Sequence, residues 1–197
     1  FGFGVSPSIR LGNIASGSVP ALKTWNDLTR ATTSFGQGMS TTPLQMAMAY
    51  SALANNGVMM QPYIVSEVYD DHGLLSETKP TPIGRMVSEE TSRKLSLMLE
   101  SVVARGHGKR AGVTGYRVGG KTGTPQVPNP RGGYYEDHHI GAFAGYFPIS
   151  DPRYTMIVKI DNPKNVKFAD SSAAPTFGRF AAWILQHDQV KPDGIQQ

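Results

Sequence analysis

Leu44, Ala47, Met48 and Ala52 recur at the three- and four-residue spacing that turns one apolar face of a helix inward. Thr42 stands where a capping hydroxyl is needed, Pro43 fits the first helical position, and Asn56 with Gly57 is a stop signal. The stretch "TTPLQMAMAYSALANNG" therefore predicts a helix. Residues 1 to 38, rich in Gly, Ser and Asn with no sustained apolar period, predict irregular chain with short helical turns. "YIVSEVYDDHGLLSETK" alternates apolar and polar residues on both sides of Asp71-His72-Gly73, the pattern of a two-stranded hairpin. Ser88, with Glu89 and Glu90 at the positive end of the dipole, opens a second helix that ends near Gly106 and turns Leu95, Leu99, Val102 and Val103 to one side.

Beyond "GYRVGGKTGTPQVPNP", two strand-like runs, "HHIGAFAGYFPI" and "RYTMIVKIDNP", are joined by a turn at Ser150-Asp151-Pro152. "APTFGRFAAWILQHD" then places Phe177, Phe180, Ala181, Ile184 and Leu185 on a helix face, with Pro175 near its start. The polar tail after Asp188 is expected to fray. The order is helix, hairpin, helix, three strands, helix, and connections this short make the strands antiparallel. The fold class is α/β in the α+β sense. No internal repeat is visible.

Composition narrows the picture only a little. With 197 residues the chain can bury a core as one domain or as two small lobes. A hydrophobic fraction of 39% and a mean hydropathy of -0.28 describe a water-soluble globular chain. Net charge is +4, but Lys and Arg are scattered with no basic window, which argues against nucleic acid as a partner. The absence of cysteine removes disulfides, thiolate metal sites and thiol nucleophiles, and is compatible with an oxidising compartment. The longest nearly apolar run, Ile140 to Ile149, is far short of the ~20 residues of a membrane-spanning helix. "FGFGVSPSIR" has neither a signal peptide's pattern nor an initiating methionine, so the chain reads as a piece of something longer.

The chemistry concentrates in residues 115 to 124. Gly115, Gly120, Lys121 and Thr122 spell the phosphate-cradling loop Gly-x-x-x-x-Gly-Lys-Thr, whereas Lys121 to Thr124 spell Lys-Thr-Gly-Thr, a strand motif of serine enzymes acting on wall peptides and penicillins. A phosphate loop needs a buried strand before it and a helix starting at the lysine. Gly123, Pro125, Pro128 and Pro130 forbid that helix, and "KRAGVTGYRV" is too poor in apolar residues for the strand. An extended strand from Arg117 to Gln126 fits both flanks. It would present Lys121 to a cleft, with Gly123 keeping the wall low and a peptide substrate lying alongside as an added strand. The hydroxyls of Thr122 and Thr124 could grip a carboxylate, and the Thr124 N–H could donate to an oxyanion. Strict alternation sends both threonines away from Lys121, so a twist or bulge is expected to bring them together.

"SFGQGMSTTPLQMAMAYSALANNG", "GYRVGGKTGTPQ" and "HHIGAFAGYFPISDPRYTMIVKIDNP" resemble the later half of the transpeptidase domain of class B penicillin-binding proteins, enzymes that cross-link peptidoglycan. The likeness runs over nearly all of residues 1 to 187 in the family's order. It implies a penicillin-binding transpeptidase fold, an antiparallel sheet between helices of which three C-terminal strands lie here, without the N-terminal strands and nucleophile helix. Residues 1–190 would be the C-terminal portion of one such domain and 191–197 a polar tail.

In the resembled family Lys121 would support proton traffic, and Thr122 and Thr124 would hold the carboxylate of substrate or β-lactam. The Thr124 amide would complete the oxyanion hole. Phe35 and Gln37 would line the back of the cleft. Lys121 and Thr124 are thus the catalytic candidates, and Thr122, Gly123, Thr124, Phe35 and Gln37 the substrate-binding ones. No cofactor or metal is implied. Partners would be D-Ala-D-Ala stem peptides, β-lactam antibiotics and cell-wall synthesis proteins, on a membrane-anchored protein at the periplasmic or extracellular face.

The family's nucleophile lies in Ser-x-x-Lys at a helix start, helped by Ser-x-Asn. Ser76 and Lys79 match the first pattern, but Pro80 and Pro82 deny the pair a helix, and Ser-x-Asn does not occur. The chain is therefore expected to begin after its nucleophile and to be inactive alone. The complementary N-terminal portion would be supplied with it, as after a proteolytic nick, and would cover an otherwise unpaired edge of the "RYTMIVKID" strand. A serine β-lactamase or D,D-carboxypeptidase shares the Lys-Thr-Gly motif, and a non-catalytic wall-associated scaffold is the rival outside enzymes.

Other features read more plainly. His138 and His139 beside Asp137 lack metal-ligand spacing and read as a strand entrance. The methionines read as gap-filling packing, and Glu89 and Glu90 as helix-end electrostatics. Tyr134 and Tyr135 either close over substrate or are ordinary exposed loop tyrosines.

Overall fold

The computed structural model describes residues 1–194 apart from Arg10 and Lys167. Among the described residues of the first forty are a 3-10 turn (Leu22–Thr24), a Ser18–Ser40 bridge and a short helix α1 (Asp27–Ser34) capped by Asn26, whose Oδ1 accepts from Thr29 N at 2.8 Å. Helix α2 (Pro43–Ala54) follows, with proline in its first turn and a full capping box between Thr42 and Gln45. Its stop is as the sequence predicts: Asn56 and Gly57 both take positive φ, and a Cβ at 57 would meet the Val87 carbonyl at 2.1 Å.

The most buried ridge of α2 is Gln45, Ala49 and Ala52, while Leu44, Ala47 and Met48 are only half-buried. The predicted face is thus rotated, and the cause is Gln45. Its side-chain amide donates to the carbonyls of Gly2, Val5 and Ser16 at 3.1, 2.9 and 2.8 Å, which draws a polar position inside and pins the irregular segment onto α2.

Strand β1 (Val58–Met60) pairs antiparallel with β4 (Pro82–Arg85) in a small sheet the sequence reading missed. Between them lies the expected hairpin of β2 (Glu67–Asp70) and β3 (Gly73–Glu77), exposed along its whole length. Helix α3 (Glu89–Arg105) has the predicted Ser88 cap and ends at Gly106. Ser92 and Val103 are its most buried residues, and Leu95, Leu99 and Val102 are half-buried.

The main sheet is formed by β5 (Gly119–Gly123), β7 (Tyr134–Phe147) and β8 (Tyr154–Asp161), all antiparallel, with β6 (Gln126–Pro128) pairing the early part of β7. Directly opposed residues share a face. The register Gly120↔Gly145↔Met156 and Thr122↔Phe143↔Val158 defines one face; Lys121↔Ala144↔Ile157 and Gly123↔Ala142↔Lys159 define the other. Helix α4 (Ala173–His187) covers the first face. Phe177 meets Phe143 edge-on at 4.7 Å between ring centroids and Phe147 at 5.6 Å, and Val158 and Met156 pack around them. Helices α2 and α3 lie on the second face, where buried Tyr146 donates to Ser96 Oγ on α3 at 2.7 Å.

Two expectations for the C-terminal region need correction. Phe180 is 55% exposed. Helix α4 turns its small residues inward because a Cβ at Gly178 would stand 2.8 Å from the Arg110 carbonyl, and that close approach swings Phe180 and Trp183 outward. The tail does not fray before residue 194: Val190 is buried in the core, and Asp193 and Gly194 are hydrogen-bonded to the segment that enters β5. The outer edge of β8 pairs with no strand among the described residues. No described helix is long and apolar enough to cross a membrane.

Candidate active-site edge

Among the described residues, strand β5 is bonded to β7 on one side only, so its other edge pairs with no strand. Which backbone groups turn to that edge follows from the hydrogen bonds beyond the strand's ends. Arg117 O accepts from Ile149 N and Pro125 O accepts from Ile140 N, so the odd-numbered peptides turn toward β7. By alternation the peptides of Thr122 and Thr124 turn to the open edge. Lys121 proves the point, since its ammonium reaches the Thr122 carbonyl at 3.0 Å.

Lys121 leaves the strand on the face opposite Thr122, and the pairing of β5 with β7 contains no bulge. Of the expected twist or bulge the bulge is absent, and the lysine side chain itself bridges the two faces. The exposed lysine side chain curls over the free edge of its own strand and donates to Thr122 Oγ1 at 3.3 Å as well as to Thr122 O. An edge strand permits this and a central one would not. The ammonium has no carboxylate partner among the described side chains, which leaves it available to an anion.

The strand also ends sooner than expected. β5 stops at Gly123 and pairing resumes at Gln126, because Pro125 has no N–H to donate and Thr124 turns toward the 3-10 turn Ala169–Ser171, where its Oγ1 accepts from Ala169 N at 3.3 Å. Each threonine hydroxyl thus has an N–H donor on its oxygen, which leaves its own proton free to donate. Ammonium and Thr122 hydroxyl meet at this edge, and by alternation the Thr124 amide turns to the same side. No helix follows Lys121, so a phosphate loop is ruled out by the geometry on which it depends.

Gly123 adds room: a Cβ there would meet only Ala142 Cβ, at 3.8 Å. Phe35, 69% exposed, caps the end of α1, and half-buried Gln37 follows it, its N–H donating to Thr32 O at 2.9 Å. No hydrogen bond among the described residues ties either of them to β5. Ser76 lies on β3 and Lys79 in the loop after it, its ammonium 3.9 Å from Glu77, so this pair shares no helix. Surface hollows of about 910 and 460 Å³, one beside α4 and one in the N-terminal segment, are lined by none of these residues. The candidate site is the open edge of β5.

At the far end of β7, His138 Nε2 lies 2.9 Å from Asp161 Oδ1, and that hydrogen bond holds the Asp161 carboxyl below the usual carboxylate range. The sequence reading missed a second group altogether. Arg117, just before β5, forms a two-pronged ion pair with Glu100 of α3, at 2.6 and 2.7 Å, and its N–H donates to Asp193. Arg and Glu seventeen residues apart in separate elements carry no local signal.

Comparison with known proteins agrees with this geometry. The model of the penicillin binding protein transpeptidase domain matches residues 1–182. Stage V sporulation protein D of Bacillus subtilis is 42% identical over 195 residues, 98% of this chain and 30% of that protein. The peptidoglycan D,D-transpeptidase FtsI of Escherichia coli is 33% identical over 197 residues, 99% of this chain and 32% of that protein. The crystal structure of penicillin binding protein 3 from Mycobacterium tuberculosis complexed with ampicillin superposes with a TM-score of 0.88 at 36% identity, covering 99% of this chain and 46% of that one. The chain spans about a third of the length of the curated relatives it matches. With an antiparallel sheet between helices, a Lys-Thr-Gly-Thr edge strand and this match, the chain belongs to the penicillin-binding protein transpeptidase domain family.

Proposed function

We propose that this chain is the substrate-clamping part of a peptidoglycan D,D-transpeptidase that works by serine acyl transfer outside the cytoplasm. The observation that carries the reading is the open edge of β5, where Lys121 Nζ curls onto Thr122 and the hydroxyl of Thr124 is oriented by Ala169. A D-Ala-D-Ala stem peptide lies along that edge as an added strand. Its terminal carboxylate takes the ammonium field of Lys121 and the hydroxyl protons of Thr122 and Thr124. A β-lactam presents its carboxylate to the same donors.

The serine that attacks the penultimate carbonyl comes from outside these residues. As its oxygen adds, negative charge collects on the carbonyl oxygen, and the Thr124 N–H donates to it. Collapse expels D-Ala and leaves an acyl-serine, which an amine of a second stem peptide then resolves into a cross-link. Gly123 keeps the edge low enough for the peptide to approach. Phe35 and Gln37 close the back of the cleft once the whole protein is assembled.

Labelling with fluorescent penicillin followed by denaturing electrophoresis tests this. The intact polypeptide that carries this chain takes a covalent label, and Lys121→Met lowers the labelling rate by about 10²-fold, the loss that follows when a group that orients the reacting molecule is removed. Absence of label in the wild type, with the protein folded, favours the scaffold reading instead.

A further inference from the structure

We propose that Asp193 is a positioning residue that anchors the start of β5 and so holds Lys121 and the Thr124 amide where substrate meets them. The inference rests on the open edge of β5 being the substrate edge. As an edge strand, β5 is hydrogen-bonded to one neighbour only, and Gly119, Gly120 and Gly123 give it no side chains to pack. Glycine-rich strands hold their pairing weakly, so restraints at the ends add to the close packing of Gly119 and Gly120.

At the far end the restraint is the bond from Ala169 N to Thr124 Oγ1. At the near end Glu100 holds the Arg117 side chain and Asp193 holds its backbone. The regular β5–β7 register stops at Gly119↔Tyr146. Beyond it the backbone bond from Ile149 N to Arg117 O at 2.9 Å is joined by the Asp193 carboxylate, with Oδ1 accepting from Arg117 N at 2.7 Å and Oδ2 from Ser150 N at 3.2 Å and Ser150 Oγ at 2.6 Å. One side chain thus ties the residue entering β5 to the residue leaving β7. Neighbouring backbone keeps the carboxylate in place: Gly194 N donates to Gly115 O at 3.0 Å, and the Tyr116 hydroxyl donates to the carbonyl of buried Val190.

The experiment compares Asp193→Ala, Asp193→Asn and Ser150→Ala with wild type in the intact polypeptide that carries this chain. In Asp193→Ala, hydrogen exchange of the β5 amides speeds up by about tenfold or more, while the α2 amides stay within about twofold. Asp193→Asn keeps an acceptor for the Arg117 N–H and falls between. Ser150→Ala deletes one bond and gives a smaller rise in the same direction, which keeps the test open if Asp193→Ala does not fold. With fluorescent penicillin, Asp193→Ala lowers the saturating acylation rate by about tenfold, whereas the half-saturating concentration moves by less than about threefold. Unchanged exchange in β5, an equal rise in α2, or the reverse kinetic split overturns the proposal. A folded wild type that takes no label removes the substrate edge on which the proposal rests, whereas the exchange data judge the anchor alone.

Discussion

Gly120 lies directly under the Phe143 ring: a Cβ at position 120 would stand 2.5 Å from Cε1 and 2.6 Å from Cζ, with the Ala144 carbonyl at 2.7 Å. The ring cannot retreat, because its other side meets Phe177 of α4. Gly120→Ala is therefore expected to cost about 1–3 kcal/mol through overpacking, read as a lower urea midpoint. Gly123→Ala is the contrast. With Ala142 Cβ its only close neighbour, at 3.8 Å, the added methyl leaves stability within about 0.5 kcal/mol of wild type. Equal losses at the two positions would contradict this packing.

Gln45 joins two parts of the chain that share no regular pairing. Its amide hydrogens are divided among the carbonyls of Gly2, Val5 and Ser16, while its Oε1 accepts from Thr42 N at 2.9 Å. Gln45→Leu keeps the bulk and removes the donor to those three carbonyls, at about 1–3 kcal/mol for any that water cannot reach in its place. The N-terminal segment is the part that detaches. Limited proteolysis should cut the variant within the first twenty residues while α2 and the main sheet stay intact, and an unchanged cleavage pattern would contradict the role given to Gln45.

These two residues also mark what could and could not be read from the sequence. Caps, stops and periods placed α2, α3, β7, β8 and α4 because each signal is local: Thr42, Ser88 and the Asn56-Gly57 stop act on their own turn. The Lys-Thr-Gly-Thr strand was legible because its proline-rich flank forbids a helix. Its working geometry was not. Alternation separates Lys121 from Thr122, and only the free edge, a property of the whole sheet, lets the ammonium fold back. The inward turn of Gln45 and the outward turn of Phe180 were invisible for the same reason, since each is decided by what a distant backbone does.

Arg117 and Glu100 form a two-pronged pair whose side chains are 36% and 23% exposed. The hydrogen bond that Arg117 donates to Glu100 raises the Arg117 pKa further, so the guanidinium stays charged at any ordinary pH. Geometry this regular places the pair at the upper end of surface ion pairs, and a double-mutant cycle of Arg117→Met with Glu100→Gln should give a coupling of about 1 kcal/mol. Arg117→Lys should not restore it, because an ammonium cannot reproduce the fork. A coupling near zero would mean that α3 and the entry to β5 are independent.

Tyr50 offers a test by pH. Its hydroxyl is pushed up to about 12, first by burial and then by neighbouring Tyr146, which burial shifts in the same direction against the opposing effect of its hydrogen bond with Ser96. The unfolded chain ionises its tyrosines near the ordinary value of 10.0. Between these values the folded protein keeps a proton that the unfolded chain has lost, so unfolding is favoured as pH rises. The stabilisation is complete below pH 10 and disappears as pH climbs through about 12. A gap of this size corresponds to no more than about 3 kcal/mol. Urea unfolding at pH 8 and pH 11 should show a smaller alkaline loss for Tyr50→Phe than for wild type, with Tyr146 accounting for part of what remains. Equal losses in the two proteins would mean that Tyr50 ionises without opening the packing between α2 and the sheet.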